Sequence, residues 1–255
     1  MIDLHSHVLP EVDDGARSVD QAIGALQALA DHGVTDLCLT PHLLASSAES
    51  GVPAEHDRAF VELAAVAPGV PRLYRGAEIM LDRPLADSVA RRRDVTLAGS
   101  RYLLVEFLRL VPFETVITAL NRVVELGLVP VLAHPERYSA CSPAAVRRWR
   151  EVGARMQIDA GTLAAHSNRG DRARQLVAEG LADIIAGDNH GDGRSVRAGV
   201  IMLEEHGGEV QAELLATTNP AAILEDGELQ PVPPLPLKQS WRNRLRRLFE
   251  GENHE

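Results

Sequence analysis

The chain has 255 residues, of which 45% are hydrophobic and only 4% aromatic, and its formal net charge is −10. That length suits one large α/β unit with an aliphatic core, and the acidity argues against a general nucleic-acid binder. Two cysteines, Cys38 and Cys141, give no disulfide framework. The N-terminus lacks a basic region followed by an apolar run, and no apolar run reaches the roughly 18 residues of a membrane helix, so a cytoplasmic protein is expected.

Taken in order, the chain opens on a short strand start, Ile2-Asp3-Leu4, followed at once by His5-Ser6-His7 and then by Asp13-Asp14-Gly15. Side chains alternate faces along a strand, so His5 and His7 point the same way and can ligate one ion together. Ser18 can cap a helix through His32, with Ile23, Leu26 and Leu29 on one face, and Gly33 ends it. Residues 34–40 read as a strand ending in Pro41-His42. Residues 43–52 read as a loop and 54–67 as a helix. A strand over 73–77 runs into Glu78, and a helix follows at 85–91. The strand at 102–105 runs into Glu106, and 113–126 is a helix closed by Gly127. The strand at 129–133 runs into His134. Residues 143–152 read as a helix, 155–158 as a strand and 171–179 as a helix. The strand at 183–186 runs into Asp188 and His190, and helices within 195–206 and 208–216 close the body.

This alternation, with about seven strands, predicts a parallel sheet with crossover helices, closed into a barrel or nearly so. The candidate ligands all fall at or just past strand C-termini, the end of such folds that carries active sites. They are His5, His7, Asp14, His42, Glu78, Glu106, His134, Asp188 and His190. Glu106 sits in the apolar run YLLVEF, where a buried carboxylate needs a partner, and a cation is one such partner. Nine residues exceed one ion's needs. Histidine with carboxylates and no cysteine suits manganese, zinc or iron, and the set can hold two or three ions with Glu78 bridging. Clustered divalent ions activate water and clamp an in-line displacement at phosphorus. Arg137 and Arg194 are placed to grip a phosphate in bidentate fashion.

MIDLHSHVLPEVDDGARS, TPH at 40–42, GAEI at 76–79, YLLVEF at 102–107, PVLAHPERY at 130–138 and GDNHGDGR at 187–194 together resemble a PHP (polymerase and histidinol phosphatase) domain. They resemble most closely the bacterial tyrosine-protein phosphatases of the CpsB/CapC type, over about residues 1–228. The resemblance implies a distorted (β/α)7 barrel with a trinuclear site, manganese first among the candidate metals. It implies that His5, His7, Glu78 and Asp188 surround one ion. Glu78, Glu106 and His134 would hold a second, and Asp14, His42 and His190 a third. Arg137 and Arg194 are implied as the phosphate-binding, transition-state-stabilising pair. The implied substrate is phosphotyrosine, in the tail of a membrane-associated tyrosine autokinase that controls capsule or exopolysaccharide export. A metal-held hydroxide attacking phosphorus in line is the expected chemistry.

Three other readings stand beside this one. Histidinol-phosphate phosphatase would use the same ions on a small substrate. A non-catalytic metal-binding subunit of a polysaccharide-export assembly would use them without turnover. Cys141 to Arg147 matches the bare C-x5-R pattern of cysteine-dependent phosphatases, but Pro143 lacks the N–H that such a phosphate cradle needs. The body is expected over 1–230. Residues 231–239 (PVPPLPLKQ) read as a proline-rich linker, and 240–255 as a short basic amphipathic tail. Trp241, Leu245, Leu248 and Phe249 are spaced for one face of that tail, suited to weak contact with an anionic membrane or a partner. His32, His56, His166, His206 and His254 fit no ligand pattern.

Overall fold

The computed structural model describes residues 1–237. Among these residues, nine short strands are all paired in parallel: β1 (Ile2–Asp3), β2 (Asp36–Leu39), β3 (His42–Leu44), β4 (Arg72–Arg75), β5 (Glu78–Met80), β6 (Tyr102–Glu106), β7 (Val129–Ala133), β8 (Arg155–Asp159) and β9 (Ile184–Ala186). They form two sheets, in the orders β1-β2-β4 and β3-β5-β6-β7-β8-β9. The protein is thus an α/β fold built on parallel sheets, as the alternation of elements predicts.

The two sheets run into each other. Only Thr40 and Pro41 separate β2 from β3, and only Gly76 and Ala77 separate β4 from β5. Across this break Gly76 N–H donates to Leu39 O (3.0 Å) and Glu78 N–H to Pro41 O (3.1 Å). Gly76 is needed there, since a Cβ would lie 2.9 Å from Cys38 Sγ. Beyond β1 the chain stays extended. Thr40 N–H donates to Ser6 O (2.8 Å), while His7 N–H donates to Asn189 O (2.7 Å) and Asp188 N–H to His5 O (3.1 Å). The HSH segment therefore lies between the end of β2 and the end of β9.

The helices follow from amphipathic spacing and capping. Ser18 Oγ accepts from Gln21 N–H and starts Val19–Asp31, which buries Ala22, Ala25, Leu26 and Leu29. Phe113–Glu125 buries Val116, Leu120 and Val123, a stripe at helical spacing. The larger apolar cluster lies between such helices and the sheets. A smaller one, including Leu4, Cys38, Tyr102, Leu104, Val131, Ala133 and Ile184, packs separately. Glu106 lies two residues beyond Leu104, and His42 four beyond Cys38. By the two-residue period of a strand, these polar groups stand on the face that the smaller cluster occupies. The cluster is thus an apolar floor under them.

Several details differ from the sequence expectation. Residues 43–52 are not all loop, because strand β3 continues to Leu44 and a short helix, Ala45–Ala48, follows. A helix over Ala160–Ala164 arises because the Asp159 carboxylate caps it, accepting from Thr162 N–H. Asn219–Leu224 is also helical. The proline-rich stretch lies on the body over 231–237 instead of leaving it. Its prolines alternate with Val232 and Leu235, which are buried. Gln211 Nε2 donates to Pro233 O (3.2 Å), and Asn219 pins Gln230 through both its N–H and its C=O. The stretch keeps apolar anchors between its helix-breaking residues, and these outweigh its reading as a free linker. The expected tail at 240–255 lies outside the described residues. No helix among those described is long and apolar enough to cross a membrane.

Candidate metal centre

The nine proposed ligand residues converge from six points in the fold. Their ligand atoms fall into four overlapping groups, within each of which all atoms lie within 4.8 Å of one another. The groups are His5, His7 and Asp188; His5, Glu78 and His134; His42, Glu78 and Glu106; and His7, Asp14, His42 and His190. His5, His7, Glu78 and Asp188 are fully buried, whereas Asp14 is open to solvent at the mouth. The grouping overlaps the three implied by resemblance but shares His5, His7 and His42 between neighbours.

The local backbone is shaped for this convergence. His134 and Asp188 both adopt the left-handed region, with φ of 34° and 49°. Non-glycine residues there store strain, and such residues cluster at functional sites. Each turns its side chain off the strand direction just where the strand ends. Gly15 lets the loop after His7 fold back against it, because a Cβ on Gly15 would lie 1.8 Å from His7 O. That return lets Ala16 N–H donate to His7 O (2.9 Å) and brings Asp13 and Asp14 over the site.

Hydrogen bonds fix which ring nitrogen each histidine presents. His5 Nδ1 lies 2.8 Å from Gln157 Oε1, and His7 Nδ1 lies 2.7 Å from Asp13 Oδ2. His190 Nδ1 lies 2.9 Å from the Asp188 carbonyl. All three partners only accept, so Nδ1 carries the proton and Nε2 faces the centre with its lone pair. The Nε2 atoms of His5 and His7 are 3.1 Å apart. Both face Asp188 Oδ1 at 3.4 Å and Glu78 Oε2 at 3.3 and 3.4 Å. His42 Nδ1 is 3.0 Å from the same Glu78 oxygen. Yet Glu78 Oε2, buried among three imidazoles, accepts no well-aligned hydrogen bond. Electron-rich atoms that converge on one point without hydrogen-bond geometry fit a cation, and the donor types fit divalent metals.

The electrostatics agree. Burial resists charge on Glu78, but the His5 charge and the close approach of the His134 and His42 rings outweigh it and hold its carboxyl well below the usual range. Burial likewise opposes charge on His42, but Glu106 and Glu78 override it and lift its pKa to about 10. His7 is also raised, against its burial, by Asp13, Asp188 and Glu78. Without metal, His42 favours its charged form at neutral pH, and His7 is shifted in the same direction. Ligation needs neutral imidazole, so a metal must displace protons and its affinity must fall as pH falls. Titration calorimetry at pH 8 in buffers of different ionisation enthalpy is therefore expected to show net proton release. Buffer-independent heats would contradict this.

Arg137 lies beside the buried floor. Its Nη2 donates to Asp188 Oδ2 (2.5 Å) and to Asp159 Oδ2. Both carboxylates take the same terminal nitrogen, which leaves other donors of the guanidinium for a ligand. Arg194 approaches Asp188 Oδ2 from the mouth (3.6 Å) and is held by Asp192 through its Nε (2.8 Å). Two arginines thus share one carboxylate at the edge of the centre, the arrangement suited to a phosphate.

Sequence reasoning missed Asp13 and Gln157 as supporting residues, and it placed Asp159 and Asp192 near the mouth without assigning them a role. Asp13 was visible within DDG, and Gln157 and Asp159 lie at the end of β8, which contributes no proposed ligand. Glu136, in the HPER turn, was also missed. It is fully buried, and burial together with the Asp159 charge lifts its carboxyl to about 8. It is therefore protonated at neutral pH, with Oε1 accepting from Asp159 N–H (3.0 Å). Outer partners of this kind tune metal affinity about 10–100-fold. Gln157→Leu and Asp13→Asn are each expected to weaken metal binding within that range, measured by competition with a chromogenic chelator. Unchanged affinity in both would sink the role assigned to the Nδ1 bonds.

The cysteine-dependent reading fails on geometry. Cys141 is buried, and burial and Glu136 push its thiol up to about 12. Ser142 caps the helix Pro143–Glu151, and Arg147 points away to Glu179 (2.5 Å). A buried, protonated thiol has no nucleophilic role.

The family model for capsular polysaccharide synthesis proteins, CpsB/CapC, matches residues 1–225. The chain belongs to the CpsB/CapC family. It is 29% identical over 243 residues to the tyrosine-protein phosphatase CpsB of Streptococcus pneumoniae, covering 89% of this chain and 99% of that protein. It is 28% identical over 258 residues to the tyrosine-protein phosphatase YwqE of Bacillus subtilis, covering 94% and 97%. A solved structure from work on YwqE and on CpsB, described as unique metal-dependent tyrosine phosphatases, superposes with a TM-score of 0.78 at 26% identity. That match covers 94% of this chain and all of the other. The CpsB/CapC match spans every one of the nine converging residues and both arginines.

Proposed function

We propose that this chain is a metal-dependent protein-tyrosine phosphatase of capsule or exopolysaccharide synthesis. The observation that carries the reading is the Glu78 carboxylate, fully buried among His5, His7 and His42 with one oxygen accepting no aligned hydrogen bond. The relatives' names supply the reaction, and the paired arginines at the rim supply a place for the phosphate.

Two or three divalent ions, manganese first and zinc or iron as alternatives, would be held by His5, His7, Asp14, His42, Glu78, Glu106, His134, Asp188 and His190. When bound, they would supply an activated water and offset the negative charge that grows in an in-line displacement at phosphorus. The chain's own groups do the rest. Arg137, held by Asp159 and Asp188, and Arg194, held by Asp192, grip the phosphoryl oxygens and stabilise the transition state. Gln157 and Asp13 keep His5 and His7 in the tautomer that presents Nε2. The leaving phenolate has a pKa of about 10, so little general-acid help is needed.

The two parallel sheets are read as one distorted (β/α)7 barrel, in which β2 with β3 and β4 with β5 each count as one bent strand. Support comes from an isolated parallel bridge between Ser6 and Asn189, which lie three residues past the ends of β1 and β9. Residues 1–230 would form the catalytic body, with 240–255 as a separate basic tail. The substrate is assigned as the phosphotyrosine tail of a membrane-associated tyrosine kinase, met at the cytoplasmic face.

The test is phosphate release from a phosphotyrosine peptide beside histidinol phosphate, after chelation and after manganese is restored. Metal-dependent turnover favouring the peptide is expected. Preference for histidinol phosphate would keep the centre and overturn the substrate.

A further inference from the structure

We infer that the turn Leu108-Arg109-Leu110 is a docking platform for the substrate peptide, taking an apolar and an acidic residue that flank the phosphotyrosine. The inference rests on the phosphatase reading and deepens it.

The turn begins two residues beyond Glu106, one of the converging carboxylates. It is also tied to the phosphate side of the site, since Ser139, two residues beyond Arg137, donates its N–H to Arg109 O (2.9 Å). The platform is therefore bracketed by the metal centre and the phosphate-gripping segment.

Leu108 is 74% exposed and Leu110 76%. Such exposure of two leucines one residue apart is costly in water unless something covers them. Nor does it come from a loose loop. Phe107 and Val111, on either side, are buried. Phe107 N–H donates to Tyr138 Oη (3.2 Å), and Val111 N–H donates to Leu108 O (2.9 Å). The anchors fix the turn and leave its three side chains standing out.

The apolar surface continues across the neighbouring strands. Leu44, 47% exposed, pairs in register with Met80, and Met80 pairs with Glu106. A lip of Leu44, Met80, Leu108 and Leu110 thus borders the β3, β5 and β6 side of the mouth, while Arg194 stands beyond β9. A phosphotyrosine seated on the arginines would lay the rest of its peptide toward this lip.

Charge selects the occupant further. Arg109 is exposed and makes no ion pair among the described residues, in a chain whose net charge is −10. An acidic peptide is repelled by most of such a surface and finds at Arg109 an uncompensated cation beside the site. The partner chemistry is therefore an extended peptide with leucine-like and acidic residues next to the phosphotyrosine.

The test compares wild type with Leu108→Ser/Leu110→Ser and with Arg109→Glu. All three positions are exposed, so folding is not at stake. Three substrates are assayed with manganese: para-nitrophenyl phosphate, a phosphotyrosine peptide flanked by leucine and glutamate, and one flanked by glycine and serine. Wild type is expected to prefer the leucine/glutamate peptide. Each variant is expected to lower the kcat/KM ratio of that peptide to para-nitrophenyl phosphate about tenfold, through KM. Equal peptide preference in wild type, or a ratio unmoved in both variants, overturns the platform while leaving the phosphatase intact. Wild-type turnover of para-nitrophenyl phosphate with neither peptide hydrolysed overturns the protein-phosphatase reading, and the platform with it.

Discussion

Asp188→Ala is expected to lower kcat/KM for a phosphotyrosine peptide by on the order of 10³-fold or more. One oxygen of this carboxylate faces both His5 and His7 Nε2 at 3.4 Å, and the other takes Arg137 (2.5 Å) and Arg194 (3.6 Å). In the proposed site it is the point where the metal ligands and the phosphate-binding arginines meet. Burial opposes its charge, but His5, His7 and Arg137 outweigh this and hold its carboxyl far below the usual range. Alanine would remove a ligand, leave two guanidiniums unanchored and strip the buried imidazoles of a counter-charge. Asp188→Asn keeps the size and some hydrogen bonding but not the charge. It is expected to bind less metal per chain than wild type by elemental analysis, with activity nearer to alanine than to wild type. A fully metallated, active asparagine variant would show that the carboxylate's charge is dispensable.

Arg137→Ala is expected to cost about 10²–10³-fold in kcat with metal content unchanged, because in the proposed site the side chain would meet the phosphate and not the ions. Arg137→Lys is expected to recover little, since an ammonium held by Asp159 and Asp188 keeps no planar pair of donors to offer a phosphate. Asp159→Asn removes one of those two anchors. Its expected signature is a weaker competitive effect of inorganic phosphate, a readout that a merely structural role would not move. Wild-type kinetics in Arg137→Ala would remove the residue from the phosphate site and shift that role to Arg194.

The skeleton of this centre was legible because its ligands sit where strand patterns end. His42, Glu78, Glu106, His134 and Asp188 each close an apolar run, so a local reading of hydrophobicity located them without any knowledge of distance. The structure brings all nine named residues together, within overlapping groups. How they are shared was not legible. His7 stands with Asp14, His42 and His190 as well as with His5 and Asp188, because the His7 and His42 rings lie against each other, tilted by 38° with centroids 4.3 Å apart. No spacing in the sequence encodes such a tertiary contact.

The supporting residues were harder to see for a related reason. Gln157 looks like any polar residue in a strand until its carbonyl is found against His5. Asp159 reads equally well as a helix cap, and it is one, while its other oxygen holds Arg137. The extension of strands past their apolar runs was also missed. β5 begins at Glu78 and runs on through Ile79 and Met80, beyond the strand expected over 73–77, and its ladder pairing with β3 and β6 keeps it extended. The proline-rich segment misled in the opposite direction, because composition alone hides the two buried anchors, Val232 and Leu235.

The most direct test of the centre is to measure bound metal and phosphotyrosine-peptide turnover on the same samples as manganese is returned to chelated protein. Turnover is expected to be negligible without metal and to rise with occupancy to a plateau at two or three ions per chain. Full turnover by the metal-free protein, or stoichiometric metal binding with no hydrolysis of the peptide, would contradict it.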